Sequence, residues 1–169
     1  DQGLLIEESR TNLLLNSDTL ATQNVTTTAV EYTLSFYGTG SITLSGTATD
    51  TLAGTGTDDR VDLSFTPTAG TLTVTVTGTV TNAQLEAGSF STSYIPTSGS
   101  TVTRAADLCE ITGDNFGSWY NQGPGSCLVN FVPNQTITNK YLYQFETTGV
   151  NDDRILIYYD GNAKERYIV

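Results

Sequence analysis

The chain has 169 residues, with 7 Lys and Arg against 18 Asp and Glu, no His, and a formal net charge of −11. That charge repels phosphate backbones and anionic bilayers, which argues against nucleic acid as a partner. No apolar run reaches the ~20 residues that a helical membrane span needs, so membrane insertion is not expected either.

Only 15% of the residues are charged, and Thr, Ser, Asn and Gly fill the balance. Threonine suits a pleated surface that stays wet. Such a composition fits a β-protein working outside a cell or on a particle. The length allows one domain, or one small domain and part of another. The sequence contains no Met and stops in strand-like text at Tyr167-Ile168-Val169, so it reads as a portion of a longer polypeptide.

Residues 1–16 read as an extended N-terminal strip. Leu13-Leu14-Leu15-Asn16 is apolar but short, and Thr and Asn flank it, which suits a strand or an extended lead-in. Period-two alternation follows. Tyr32, Leu34 and Phe36 alternate with Thr33 and Ser35; Ile42 and Leu44 alternate with Ser41, Thr43 and Ser45. Val61, Leu63 and Phe65, then Leu72, Val74 and Val76, repeat the pattern. Each run predicts a strand with one core face and one wet face, as in antiparallel sheets. Gly38-Thr39-Gly40 is close enough for a hairpin between the first two runs. Gly54-Thr55-Gly56 with Asp58-Asp59, and Pro67-Thr68-Ala69-Gly70, supply the next turns. Short strands joined by Gly-rich turns indicate a sandwich or jelly roll over residues 17–105. A solenoid is the other architecture for such text, but no fixed repeat period is present.

Residues 87–105 form a Ser/Thr-rich connector. Phe90, Tyr94 and Ile95 are anchors that a free linker would not carry, so this strip is expected to lie against a domain. From about residue 106 aromatic residues become denser. Strand-like runs occur at Leu108–Ile111, Cys127–Val132, Tyr141–Phe145 and Ile155–Tyr159, and Asp160-Gly161-Asn162 predicts a turn into Glu165–Val169. The fold class is therefore all-β: an antiparallel, jelly-roll-like β-sandwich followed, over 106–169, by part of a second β-sandwich.

Candidates for chemistry are few. Without His, the Ser-His-Asp and Cys-His arrangements are absent. Glu7-Glu8, Asp58-Asp59 and Asp152-Asp153 are paired carboxylates by sequence proximity only. Adjacent strand residues face opposite ways, and the latter two pairs read as turns. No catalytic residue and no enzyme activity is expected. No cofactor is required; calcium is the one that Asp152, Asp153 and Asp160 could take, against the simpler reading of solvated turn carboxylates. Cys109 and Cys127 sit in apolar runs and read as buried thiols, with one bridge between neighbouring strands as the alternative. Trp119, Tyr120 and Tyr158 are the candidates for an aromatic platform that stacks on a sugar ring, with core packing as the other reading. Arg10 and Arg104, in a chain poor in cations, are expected to clamp the N-terminal strip and the connector by pairing with Glu7, Glu8, Glu86 or Asp107.

Two stretches carry a family resemblance. One is Gly3-Leu4-Leu5-Ile6-Glu7-Glu8-Ser9-Arg10-Thr11-Asn12-Leu13-Leu14. The other is Ala83-Gln84-Leu85-Glu86-Ala87-Gly88-Ser89-Phe90, continuing through Thr92-Ser93-Tyr94-Ile95-Pro96-Thr97 and Thr103-Arg104-Ala105-Ala106-Asp107. Both resemble segments of bacteriophage tail and virion structural proteins, whose modules are similar to carbohydrate-binding-module jelly rolls. Ser118-Trp119-Tyr120 and Asp153-Arg154-Ile155 are similar to the concanavalin-like or laminin-G-like sandwich that often follows. The stretch between Asn16 and Asn82 is short for a full carbohydrate-binding jelly roll and suggests a reduced sandwich. The resemblance implies a tail-fibre, spike or capsid-fibre component at the surface of the phage particle. It implies other virion proteins as partners, a homotrimer with the strips packed between subunits, and a role in assembly and adhesion. The alternative is a lectin-like module of a larger secreted or surface protein. In either case the implied ligand is a surface glycan.

Overall fold

The computed structural model of the chain describes residues 4–118, Tyr120, Gly123 and the strands within 140–146, 154–159 and 165–168. The chain divides into two compact units, Asp1–Glu110 and Ile111–Val169.

The first unit contains nine strands. They are β1 (Arg10–Asn12), β2 (Gln23–Thr27), β3 (Tyr32–Gly38), β4 (Ser41–Gly46), β5 (Asp50–Ala53), β6 (Gly56–Phe65), β7 (Gly70–Thr77), β8 (Thr81–Ala87) and β9 (Val102–Arg104). One antiparallel sheet has the order β2-β7-β4-β5 and the other β6-β3-β8. Strand β1 pairs with β9. The residue after β1 also bonds to β8, Leu13 N donating to Leu85 O at 2.9 Å. Read together, the sheets run β1·β8-β3-β6 and β2-β7-β4-β5, the strand order of an eight-stranded jelly roll. The short stretch between Asn16 and Asn82 therefore supplies the six middle strands, β2–β7, and with β1 before it and β8 at its end the order is full rather than reduced. It does so with strands as brief as β5, whose four residues the alternation pattern does not single out.

The alternating apolar residues build one core between the sheets. Tyr32, Leu34 and Phe36 of β3 and Ala83 and Leu85 of β8 meet Val25 of β2, Ile42 and Leu44 of β4, and Leu72 and Val74 of β7. Leu14, Leu20 and Val80 join from the connecting segments. Tyr32 stacks on Phe65, with ring centroids 6.4 Å apart.

Two expectations from the sequence are corrected here. Gly38-Thr39-Gly40 does not close a hairpin, because β3 and β4 belong to different sheets. The turn instead carries the chain across the core. Gly38 has φ 125°, and a Cβ there would run into the carbonyl of Thr79, so the crossing requires glycine. Strand β3 also has no wet face. Thr33 and Ser35 are as fully buried as Leu34 and Phe36, because the strip after β8 folds over the outer face of the sheet. Thr33 Oγ1 donates to Gly88 O at 2.7 Å.

Three smaller corrections follow. Asp58 and Asp59 lie within β6 rather than in a turn, since that strand extends back to Gly56 to pair with Gly38. Leu108–Ile111 forms no strand, and a short helix α1 (Gly113–Gly117) comes next, with Asp114 in its first turn where the helix dipole favours an acid. Cys109 is exposed and unbonded rather than a buried thiol, because the segment that carries it has left the sandwich; Cys127 lies outside the described residues.

The described strands of the second unit are β10 (Lys140–Glu146), β11 (Arg154–Tyr159) and β12 (Glu165–Ile168). They form an antiparallel meander in that order, with an irregularity between Tyr141 and Tyr143. The run at Cys127–Val132 and the turn at Asp160-Gly161-Asn162 lie outside the described residues.

Phe36 is fully buried at the centre of the first core. Phe36→Ala is expected to lower the unfolding free energy by about 3–5 kcal/mol, read from chemical denaturation, as large-to-small core changes do.

Candidate functional site

The densest polar chemistry in the first unit lies between the outer face of β8 and the strip that covers it. Strand β8 alternates Ala83 and Leu85 toward the core with Gln84 and Glu86 away from it, and all four are fully buried. A buried amide and a buried carboxylate demand partners, and the strip supplies them. Thr92 N donates to Glu86 Oε1 at 2.8 Å, and Thr92 Oγ1 to Glu86 Oε2 at 2.7 Å. Gln84 Nε2 donates to Glu86 Oε1 at 2.6 Å and to Thr92 Oγ1 at 3.2 Å, while Gln84 Oε1 accepts from Ile95 N at 2.7 Å. Arg10 Nε stands 4.0 Å from Glu86 Oε2 and carries the compensating charge.

Asn12 occupies the same role on β1. Its Nδ2 donates to Ala83 O (3.0 Å) and Ile95 O (2.9 Å), and its Oδ1 accepts from Leu14 N and Leu85 N, both at 3.1 Å. Two donors and two acceptors are the full capacity of an asparagine side chain. Further along, Ser17 Oγ bonds Tyr94 Oη at 2.7 Å and accepts from Thr97 N at 2.9 Å, and Thr97 Oγ1 donates to Leu14 O at 2.6 Å.

The arginines frame this layer. Arg10 Nη2 donates to Glu8 Oε1 at 2.6 Å, and its guanidinium lies 5.0 Å from the Phe90 ring centroid. Gly88, φ 137°, is the close approach that makes room for it, since a Cβ there would run into the guanidinium. Arg60 Nη2 reaches Ser35 Oγ at 2.8 Å and its Nη1 reaches Thr92 O at 2.5 Å. Arg104 Nη1 pairs with Glu7 Oε2 at 2.8 Å and its Nη2 donates to Glu8 O at 3.3 Å. Glu7 in turn accepts from Ser93 N at 2.8 Å. Asp107, one of the expected carboxylate partners, meets the backbone N of Glu7 at 2.9 Å rather than an arginine.

A shallow groove of about 380 Å³ opens beside this layer, lined by Ser9, Arg10, Thr11, Leu13, Tyr32 and Ala87. No carboxylate lines it. The Ser9 hydroxyl is committed to Arg104 O at 3.0 Å, so no base stands ready to activate it. Its one aromatic, Tyr32, is 5% exposed, and its hydroxyl accepts from Thr28 N at 3.2 Å. That ring is in the core and offers no platform to a sugar.

The aromatic candidates are not brought together among the described residues. Tyr120 is 42% exposed and stacks on Phe116, one helical turn earlier, with centroids 4.6 Å apart. Trp119 lies outside the described residues. Tyr158 pairs through the backbone with Tyr141 and Arg166, and its side chain is outside the described set. Asp152, Asp153 and Asp160, the calcium candidates, also lie outside it. Among the described residues no group of three His, Cys, Asp or Glu is placed to hold a metal ion.

Sequence reasoning found Arg10, Arg104 and their carboxylates but not Asn12, Arg60, Gln84 or Thr92. One signal was present: in Ala83-Gln84-Leu85-Glu86-Ala87 two polar residues share a strand face, the usual mark of a wet surface. Only the covering strip makes that face a buried one. No protein-family model, no curated protein and no solved structure matches the chain.

Glu86→Ala removes the buried acceptor of two Thr92 bonds and one Gln84 bond and leaves Arg10 paired with Glu8 alone, and is expected to cost about 3–5 kcal/mol in denaturant titration. Arg104→Ala removes a mostly buried pair and two weaker carbonyl contacts, for an expected loss of about 1–2 kcal/mol. An unchanged melting temperature for Arg104→Ala would remove its role as a clamp.

Proposed function

We propose that the chain is a non-catalytic structural module of a phage virion, part of a tail fibre, spike or capsid fibre, serving assembly and adhesion at the particle surface. One observation carries this reading. The two stretches that resemble virion proteins supply the residues of the buried polar layer: Arg10 and Asn12 from the first, and Gln84, Glu86, Gly88 and Thr92 from the second. Their side chains are spent on holding the strip to the sheet, so what the resemblance tracks is architecture rather than a catalytic or sugar-binding site. The absence of a nucleophile–base pair in the groove supports the same reading. So does a surface rich in Thr, which keeps a β-module soluble at low charge density.

Immunogold labelling of intact particles, with antibody raised to this chain, tests the proposal. Gold at tail tips or fibres is the expected result for an adhesion device, and gold over the head is expected for a capsid fibre. Antigen in the lysate with no label on any particle would sink the reading.

A further inference from the structure

Within the buried polar layer a hydroxyl, a carboxamide and a carboxylate touch one another out of reach of water. Thr92 is 2% exposed, and Gln84 and Glu86 are fully buried. Thr92 Oγ1 donates to Glu86 Oε2 at 2.7 Å, the contact that a general base makes with the nucleophile it activates. The hydrogen bonds from Thr92 N, Thr92 Oγ1 and Gln84 Nε2 are all accepted by Glu86, which suits a carboxylate ready to take a proton. The same hydroxyl oxygen accepts from Gln84 Nε2 at 3.2 Å, so it lies against the carboxamide. Gln84 Oε1 accepts from Ile95 N at 2.7 Å. A backbone N–H can only donate, which fixes the amide with its oxygen toward Ile95 and its nitrogen toward Thr92 and Glu86. That N–H also stands where negative charge develops when the amide carbon is attacked.

We propose that Thr92 and Gln84 join in an intramolecular ester cross-link, with Glu86 as the base. A partial turn of the amide about Cγ–Cδ presents its carbonyl carbon to the hydroxyl. Thr92 Oγ1 bonds to Gln84 Cδ, the hydroxyl proton passes to Glu86, and Ile95 N–H stabilises the oxyanion. The intermediate collapses by breaking the Cδ–Nε2 bond. Glu86, whose Oε1 is 2.6 Å from Nε2, returns the proton, ammonia leaves and the carboxylate is regenerated. Nothing is oxidised or reduced, and no further reactant is needed. Holding the three groups in contact replaces an encounter between separate molecules. Ammonia is lost to solvent, and burial shields the ester from hydrolysis. The reaction consumes its own residues and runs once per chain, so it is a structural device rather than a turnover activity, and it does not depend on where the module works. Its effect is mechanical. The link joins β8 to the covering strip across eight positions. A pull on the leaving chain peels the strip backward from Arg104, and the ester stops the peel at Thr92, where hydrogen bonds alone give way one after another.

Intact-mass spectrometry of the folded 169-residue chain tests the link. The wild type is expected to be lighter than its sequence by one ammonia. Glu86 lies between the two linked residues, so a Glu-specific digest should yield one branched peptide holding Gln84 and Thr92, which hydroxylamine separates. Thr92→Ser keeps the hydroxyl and is expected to keep the ammonia loss. Thr92→Val and Glu86→Gln are expected at full sequence mass, with near-ultraviolet circular dichroism showing that each is folded. A folded wild type at full sequence mass overturns the cross-link. So does an ammonia loss that persists in Thr92→Val or that maps to peptides without Thr92. A Glu86→Gln chain that loses ammonia as fast as the wild type overturns the role of Glu86.

Discussion

A carboxylate with no exposure must be met by donors and a positive charge, and Glu86 is such a carboxylate. It sits on the outer face of a sheet whose inner face already packs the core. Gln84 supplies one donor from the same strand and Arg10 the charge, and the strip that follows β8 completes the set, Thr92 donating through both its backbone and its side chain. Gln84 and Asn12 extend the same requirement in both directions. The strip and the sheet therefore order together: without the strip the buried face would be an array of stranded polar groups, and without that face the strip has no partners. Burial of this kind adds less net stability than apolar packing of similar volume, but it fixes one position for the strip, since only one register satisfies every donor and acceptor.

That fixed position has consequences at the ends of the unit. The strip delivers β9 to β1 in a defined register, so the entering and leaving segments run side by side as a ribbon. Arg104 ties the ribbon to the strip through Glu7 and Ser93, and Arg10 ties it to the sheet through Glu86. The exposed leucines at the end of the ribbon, Leu4, Leu5 and Leu108, are held by the same network that buries Glu86. A module closed on itself in this way presents its entering and leaving segments at one place, as compact domains often do.

The strands that alternate strongly were legible: β3, β4, β6 and β7 carry Leu, Val, Ile, Phe and Tyr every second residue, and these residues make up most of the core. The short strands β1, β2, β5 and β9 were not, because three to five residues of Thr, Asn and Asp carry no period of their own and become strands by pairing with neighbours. Of the candidate site, the arginines could be read because cations are rare in this chain. Asn12, Gln84 and Thr92 could not, since nothing in their local sequence distinguishes a polar residue facing water from one facing another segment far along the chain.

By itself the sequence determined that this is an all-β protein with a sandwich core, acidic, and lacking the imidazole that many hydrolytic sites need. Period-two patterning and composition are local or additive properties, and they survive without knowledge of the fold. The tertiary structure alone decided that the turn at Gly38–Gly40 crosses between sheets and that Thr33, Ser35, Gln84 and Glu86 are interior. It also decided that Cys109 and the ribbon leucines are exterior. The physical reason is the same in each case: alternation says that a strand has two different faces, but what covers each face depends on tertiary contacts, from Glu86 with Thr92 a few positions on to Asn12 with Ala83 and Ile95 more than seventy positions away.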